Sequence, residues 1–146
     1  MSQEGRIVSL QFCPGHRKPM TEVSVTEMVT NLGMKDDAHA KANSKRQLLL
    51  LEVETLHSLG LQPGDVKENI TTSGIELMNL LPGTRLQLGN DAILEITQEC
   101  DPCYRMDELR AGLQQELAGR RGMLATVVSG GNVSQGDSIH VLENRR

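Results

Sequence analysis

Apolar residues along this chain recur in short bursts at two-residue spacing, the period of a strand with one buried face. Gly5 to Phe12 carries Ile7, Val8 and Leu10 and predicts a strand. Cys13-Pro14-Gly15 ends it, since proline donates no ladder bond. Glu22 to Val25 alternates and predicts a second strand. Lys35 to Arg46 is nearly free of large apolar groups and predicts a long loop, of the kind that often carries function. Gln47 to Val53 predicts a buried strand, and Thr55 to Leu59 a short helix stopped by Gly60. The densest polar run is Glu68-Asn69-Ile70-Thr71-Thr72-Ser73-Gly74, set between apolar segments and preceded by Pro63-Gly64. It predicts a loop whose carboxylate, amide and hydroxyls either bond their own backbone or hold a polar ligand.

Ile75 to Leu81 is apolar without a clear period. Thr84 to Leu88 and Ala92 to Thr97 alternate around Gly89-Asn90-Asp91 and predict a hairpin. Met106, Leu109, Leu113 and Leu117 recur at helical spacing and predict one amphipathic helix ending near Gly119. Met123 to Val128 and Val133 to Leu142 predict two last strands, with a bulge or turn at Gly136-Asp137. Strands do not alternate regularly with helices, so a doubly wound parallel sheet is not expected. The pattern predicts a single domain over residues 1–146, mostly β (a β-rich α+β fold). Its form is an antiparallel β-barrel with two short helical segments.

Composition narrows the function. The net charge of -4 gives no broad basic field for a nucleic acid backbone, and one Tyr, one Phe and no Trp leave almost no stacking platform. The longest wholly apolar run, Leu48 to Leu51, is far too short to span a bilayer. The first residues, Met-Ser-Gln-Glu-Gly-Arg, lack the apolar stretch of a signal peptide, so a cytoplasmic protein with neither nucleic acid nor membrane as partner is expected. Three cysteines argue against a closed disulfide framework.

Cys103 is the residue most able to carry chemistry. It lies in Cys100-Asp101-Pro102-Cys103-Tyr104-Arg105, between a strand and a helix, where a helix N-terminus and Arg105 would favour thiolate. A free cysteine is otherwise a small buried hydrophobe. Three active readings compete. One is Cys-x-x-Cys redox chemistry, without the βαβ context of a thioredoxin-like fold. Another is a Cys₃His zinc site from Cys13, His16, Cys100 and Cys103. The third is a single thiolate that binds a soft metal or carries sulfur. His57 and His140 read as ordinary surface groups, and Gly130, Gly131, Gly136 and Asp137 as backbone devices.

One resemblance runs from about Gly5 to Val141. Its marks are Asp37-Ala38-His39, Arg46-Gln47 before a strand, Pro63-Gly64-Asp65, Glu68-Asn69-Ile70-Thr71, Pro82-Gly83-Thr84, Pro102-Cys103, and Gly130-Gly131 through Gly136-Asp137. In that combination the chain resembles the MOSC domain, the module at the C-terminal end of molybdenum-cofactor sulfurases. The family has a glycine before the Asp-x-His, where this chain has Asp36. The resemblance implies a β-barrel and the molybdenum cofactor (molybdopterin). It makes Cys103 the cysteine that ligates molybdenum in reductases of N-hydroxylated compounds, or that carries a persulfide in sulfur-handling members. It also implies that Asp37, His39, Arg46, Glu68, Asn69 and Thr71 line the cofactor site. Arg46 would bind phosphate, and Glu68 and Asn69 the pterin edge. Lys41, Lys45 and Arg105 are further phosphate candidates. The implied partners are a cysteine desulfurase or an electron-donor protein, with a molybdoenzyme as possible acceptor. Cys100 is an extra thiol, either a resolving cysteine or strand-end packing.

Overall fold

The computed structural model describes residues 4–142. Met1 to Gln3, part of the segment read above as lacking a signal, lie outside it. The strands are β1 (Glu4–Phe12), β2 (Thr21–Val23), β3 (Val25–Val29), β4 (Gly33–Met34), β5 (Leu48–Glu52) and β6 (Ile70–Ser73). They continue with β7 (Arg85–Leu88), β8 (Ala92–Glu99), β9 (Met123–Ser129), β10 (Gly131–Ser134) and β11 (Ser138–Val141). Three short helices are α1 (Val53–Ser58), α2 (Arg105–Leu109) and α3 (Leu113–Glu116), with a 3₁₀ turn at Leu77–Asn79.

The main sheet runs β11-β7-β8-β9-β5-β6-β1-β2, and β11 also pairs with β1. That last pairing closes a seven-strand barrel from which β2 projects. A barrel leaves no free edge among its members. All its pairings are antiparallel except β5 with β6. A smaller sheet, β10-β3-β4, packs beside it. The hairpin, the Lys35–Arg46 loop and the strand from Met123 follow the sequence reading, but Val133 to Leu142 divides at Gly136-Asp137 into β10, in the smaller sheet, and β11, in the barrel. The segment Glu22 to Val25 does not form one strand. It bends at Ser24, so β2 extends the barrel sheet while β3 joins the smaller one.

The polar run also departs from its reading as a loop. Ile70–Ser73 is β6, seated between β5 and β1 with Ile70, Thr71 and Thr72 buried. Threonine is β-branched and fits a pleated strand, and that shape outweighs its hydroxyl when the hydroxyl finds a partner inside. The single helix expected over Met106 to Leu117 is broken as well. Arg110 leaves the first segment in an extended conformation, and Gly112, at φ +86° in the left-handed region, starts the next. Met106, Leu113 and Leu117 are buried, whereas Leu109 is half exposed.

The four consecutive leucines of Leu48 to Leu51 are explained by burial on both faces of β5. Leu48 and Leu50 enter the barrel core with Ile7, Leu10, Ile70, Leu94, Ile96 and Ala125. Leu51 faces outward into a second core with Leu56, Leu61, Val66, Met106, Leu113 and Leu117. The three helices are therefore fastened to the outside of the barrel, and α2 carries the segment after Cys103 with them.

Candidate functional site

Register sets five strands of the barrel in one row. Leu10 pairs with Ile70, Ile70 with Leu50, Leu50 with Met123, and Met123 with Glu99. The end of β1 and the starts of β5 and β6 lie on one side of this row, whereas β9, antiparallel to β5, starts on the other side, next to the end of β8. Segments 13–20, 35–47 and 61–69 leave from the first side; segment 100–122 leaves from the other and meets them again where Glu108 pairs with Arg17 and Arg121 bonds the Val66 carbonyl. The four hold eleven of the fifteen Lys and Arg but eight of the nineteen Asp and Glu. In an acidic protein these four segments together carry a positive balance, and Cys103 is exposed on one of them.

Asp37 fixes the long loop to the chain just after β1. Its Oδ1 accepts from the Cys13 N–H at 2.7 Å, its Oδ2 accepts from the His39 N–H at 3.3 Å, and the Ala38 N–H donates to the Cys13 carbonyl at 2.8 Å. Asp37 is buried and His39 is exposed. Asp36 takes φ +68°, the left-handed turn that glycine supplies elsewhere in the resemblance, so the Asp36 substitution leaves the turn in place. The loop's far end is held where the Thr97 hydroxyl donates to the Lys45 carbonyl at 2.6 Å. Arg46 beside it is exposed.

The Glu68-Asn69-Ile70-Thr71 run works differently from its expected ligand role. Asn69 is buried, and its side-chain amide is committed to the framework. Its Oδ1 accepts from the Leu49 N–H at 3.0 Å, and its Nδ2 donates to the Gln11 carbonyl at 3.3 Å. Its own main chain bonds the same two residues. Thr71 sits in a buried relay of one polarity. The Ser9 hydroxyl donates to Gln11 Oε1 at 2.6 Å, Gln11 Nε2 donates to Thr71 Oγ1 at 2.9 Å, and the Thr71 hydroxyl donates to Glu68 Oε2 at 2.8 Å. The Gly64 N–H also donates to that oxygen, at 2.9 Å. Fully buried Glu68 is held above the usual carboxylate range by desolvation, against the lowering effect of those bonds and of the Arg121 charge. The polar side-chain atoms of Asn69 and Thr71 are thus engaged within the framework.

Arg121 is the residue the sequence reading missed. It precedes β9 and is only 6% exposed. Its Nη2 donates to the Val66 carbonyl, while Nη1 has no partner among the described residues. Glu68 Oε1 is unpartnered in the same sense. Burial acts to lower the Arg121 pKa, while Cys100, Glu68 and Cys103 act to raise it. A guanidinium stays charged through such opposing effects. The only sequence signal was an Arg-Arg-Gly step before a strand. Gly122 explains that step, because at φ +113° a Cβ would lie 2.3 Å from the Leu50 carbonyl oxygen.

All three thiols are free. Cys100 packs with Leu49 and Leu124, and its N–H donates to the Gly122 carbonyl at 2.9 Å. Burial pushes its thiol up, while Arg121 and then Arg46 pull it down. Cys13 is buried on the β1 side and donates its thiol to the Gly15 carbonyl at 3.1 Å. Among the described residues no three His, Cys, Asp or Glu side chains converge on a metal-sized site. The Cys13, His16, Cys100 and Cys103 zinc set therefore does not assemble, because its members are held in separate environments. The helix after Cys103 is only five residues long, so its dipole is small. The positive charge beside the thiols comes from Arg121 and Arg46 instead. Tyr104, 67% exposed, stands next to Cys103. Arg105 and Arg17 both pair with Glu108, at 3.8 and 3.6 Å. Lys41 and Lys45 are exposed on the long loop.

The model of the MOSC domain family matches residues 35–140. A protein named "Reductase" from Gibberella moniliformis is 31% identical over 84 residues, which is 55% of this chain and 15% of that protein. This chain thus spans a small part of that relative. The YuaD protein of Bacillus subtilis superposes with a TM-score of 0.82 at 20% identity, covering 98% of this chain and 99% of that one. YiiM of Escherichia coli gives 0.73 at 20% identity over 96% and 71%, and YiiM of Geobacillus stearothermophilus 0.77 at 16% over 95% and 75%. At these identities the structures speak for the shared fold.

Proposed function

This chain belongs to the MOSC domain family, and from that premise we propose that it binds a molybdenum pterin cofactor through Cys103. The observation that carries the reading is an exposed thiol near a buried guanidinium, that of Arg121, which has an N–H without a partner among the described residues. Those groups fit the metal and the anionic part of such a cofactor. Thiolate is a soft ligand suited to molybdenum, and guanidinium matches phosphate. A metal that arrives on its own dithiolene needs few protein ligands, in keeping with a single exposed thiol rather than a converging set. The pterin-edge role expected of Asn69 and the cofactor-lining role expected of Thr71 form no part of this reading, since their polar side-chain atoms are engaged within the barrel.

In this reading Cys103 is the protein ligand. Arg46 and His39 are the exposed contacts on the long loop, and Asp37 holds that loop in place. Arg121 keeps positive charge beside the thiols, where an anionic cofactor would sit. When bound, the cofactor supplies a redox-active molybdenum centre. The activity proposed is reduction of N-hydroxylated compounds with electrons from a separate donor protein, in line with the relative named a reductase. The second reading is a sulfur carrier loaded by a cysteine desulfurase and emptied to a molybdoenzyme. It is favoured by a second thiol, Cys100, within reach of the same cations. To separate them, the protein is made in a host that synthesises the cofactor and assayed for molybdenum and for reduction of an N-hydroxylated base with a chemical electron donor. Molybdenum with turnover is the expected result. A persulfide on Cys103 with no molybdenum would replace this reading with the carrier.

A further inference from the structure

Cofactor binding leaves one group near Cys103 unused, the second thiol. Cys100 and Cys103 are separated by Asp101 and Pro102 in an irregular stretch between β8 and α2. The stretch is anchored at both ends. The Cys100 N–H donates to the Gly122 carbonyl at 2.9 Å, and the Cys103 carbonyl accepts from the Met106 N–H at 3.0 Å. Between the anchors no side chain locks either sulfur. Cys103 is exposed, and the Cys100 sulfur has only a long contact to the Asp101 carbonyl, at 3.8 Å. Three steps of chain keep the two Cα atoms within about 11 Å at full extension, and a turned linker brings them toward the roughly 4.4–6.8 Å that a disulfide needs.

We propose that Cys100 and Cys103 form a reversible intramolecular disulfide, with Cys103 as the attacking thiol and Cys100 as the resolving one. The asymmetry of exposure sets the roles. An external disulfide reaches Cys103, whereas Cys100 is 7% exposed against Leu49 and Leu124 and is shielded from it. Arg121 is a buried cation near both sulfurs, and exchange proceeds through thiolates. With a low-molecular-weight disulfide as oxidant the atoms balance. The Cys103 thiolate attacks one sulfur of the oxidant, forms a mixed disulfide and releases the first small thiolate. The Cys100 thiolate then attacks the Cys103 sulfur and releases the second. The dithiol loses two electrons and two protons, and the oxidant becomes two thiols. The oxidised pair has no Cys103 thiolate to offer a metal or to carry sulfur, so the couple gates the site. That consequence rests on the proposed function, whereas the bond does not.

The test uses the full chain, without metal or pterin, in buffers of reduced and oxidised glutathione. Samples are quenched in acid, alkylated and mapped by mass spectrometry. A Cys100–Cys103 disulfide should appear in one two-electron transition, with about 30 mV per tenfold change in its ratio of forms. Cys13, buried apart from the pair, should remain alkylated after unfolding. Cys100→Ser should instead trap glutathione on Cys103. Cys100→Ala, which suits an apolar seat, repeats the test if the serine variant misfolds. Glutathione held on Cys103 in the unaltered chain with Cys100 still reduced would overturn the proposal. So would a bond involving Cys13, or no oxidation in the most oxidising buffer. None of these outcomes bears on whether the reduced protein takes up molybdenum.

Discussion

Replacing Asn69 by alanine separates a framework role from a ligand role more sharply than any other substitution in the barrel. Asn69 lies just ahead of β6, between β1 and β5, and its amide closes gaps in both neighbouring strands. The change removes the acceptor of the Leu49 N–H and the donor to the Gln11 carbonyl, both buried. A buried donor left unsatisfied costs about 1–3 kcal/mol, and a lost ordinary hydrogen bond about 0.5–1.5 kcal/mol. The expected destabilisation is therefore roughly 2–4 kcal/mol, a large part of the roughly 5–15 kcal/mol by which such a domain is stable. The melting temperature should fall by roughly 5–15 °C. Urea unfolding followed by circular dichroism gives the free energy. Cofactor uptake, normalised to the folded fraction, should be unchanged. A stability loss below about 0.5 kcal/mol combined with weakened uptake would refute the framework role and return Asn69 to the ligand.

Three further outcomes follow from the same geometry. Because burial raises the Glu68 pKa above its usual 4.5, folded Glu68 holds its proton where the unfolded chain has lost it. Its contribution to stability therefore falls as pH rises from the unfolded value to the raised one. The advantage of Glu68→Gln over the unaltered chain, measured by urea unfolding across pH, should grow through that window and then level off; an advantage that shrinks would contradict the assignment. Gly122→Ala should cost about 3 kcal/mol or more, since left-handed strain and overpacking against the Leu50 carbonyl each amount to roughly 1–3 kcal/mol; a neutral variant in thermal melts would show the close approach to be wrong. Asp36→Gly should leave stability unchanged or raise it by up to about 1 kcal/mol, because glycine takes φ +68° without strain; a clear loss would mean the aspartate side chain matters there.

What the sequence made legible was the work of backbone period and turn chemistry. The Ala92–Glu99 strand and its hairpin partner alternate cleanly because one face meets the core and the other meets water. The four leucines of β5 were readable as buried, but not as facing two separate cores. The polar run was misread because several of its residues are satisfied by hydrogen bonds inside the barrel. Thr71, Gln11, Ser9 and Glu68 look like a solvated loop until their hydrogen bonds are seen to run from β1 into β6. Arg121 is invisible because its neighbours Glu68, Cys100 and Cys103 are 18 to 53 positions distant in sequence and only the barrel joins them. Cys103 could be picked out because its resemblance is carried by local motifs. The helix expected to serve it could not be placed, because Arg110 and Gly112 leave the helical conformation within a continuous apolar period.

The central claim is that Cys103 is the residue through which this barrel holds a molybdenum pterin. It is tested most directly by the ratio of molybdenum and pterin to protein in three chains from a cofactor-producing host: the unaltered chain, Cys103→Ser and Cys100→Ser. All three are purified under reducing conditions and checked for an unchanged melting temperature. The account predicts molybdenum in the unaltered chain, its near-complete loss in Cys103→Ser, and retention in Cys100→Ser. Equal molybdenum in all three, or equal loss from both substitutions, would contradict it.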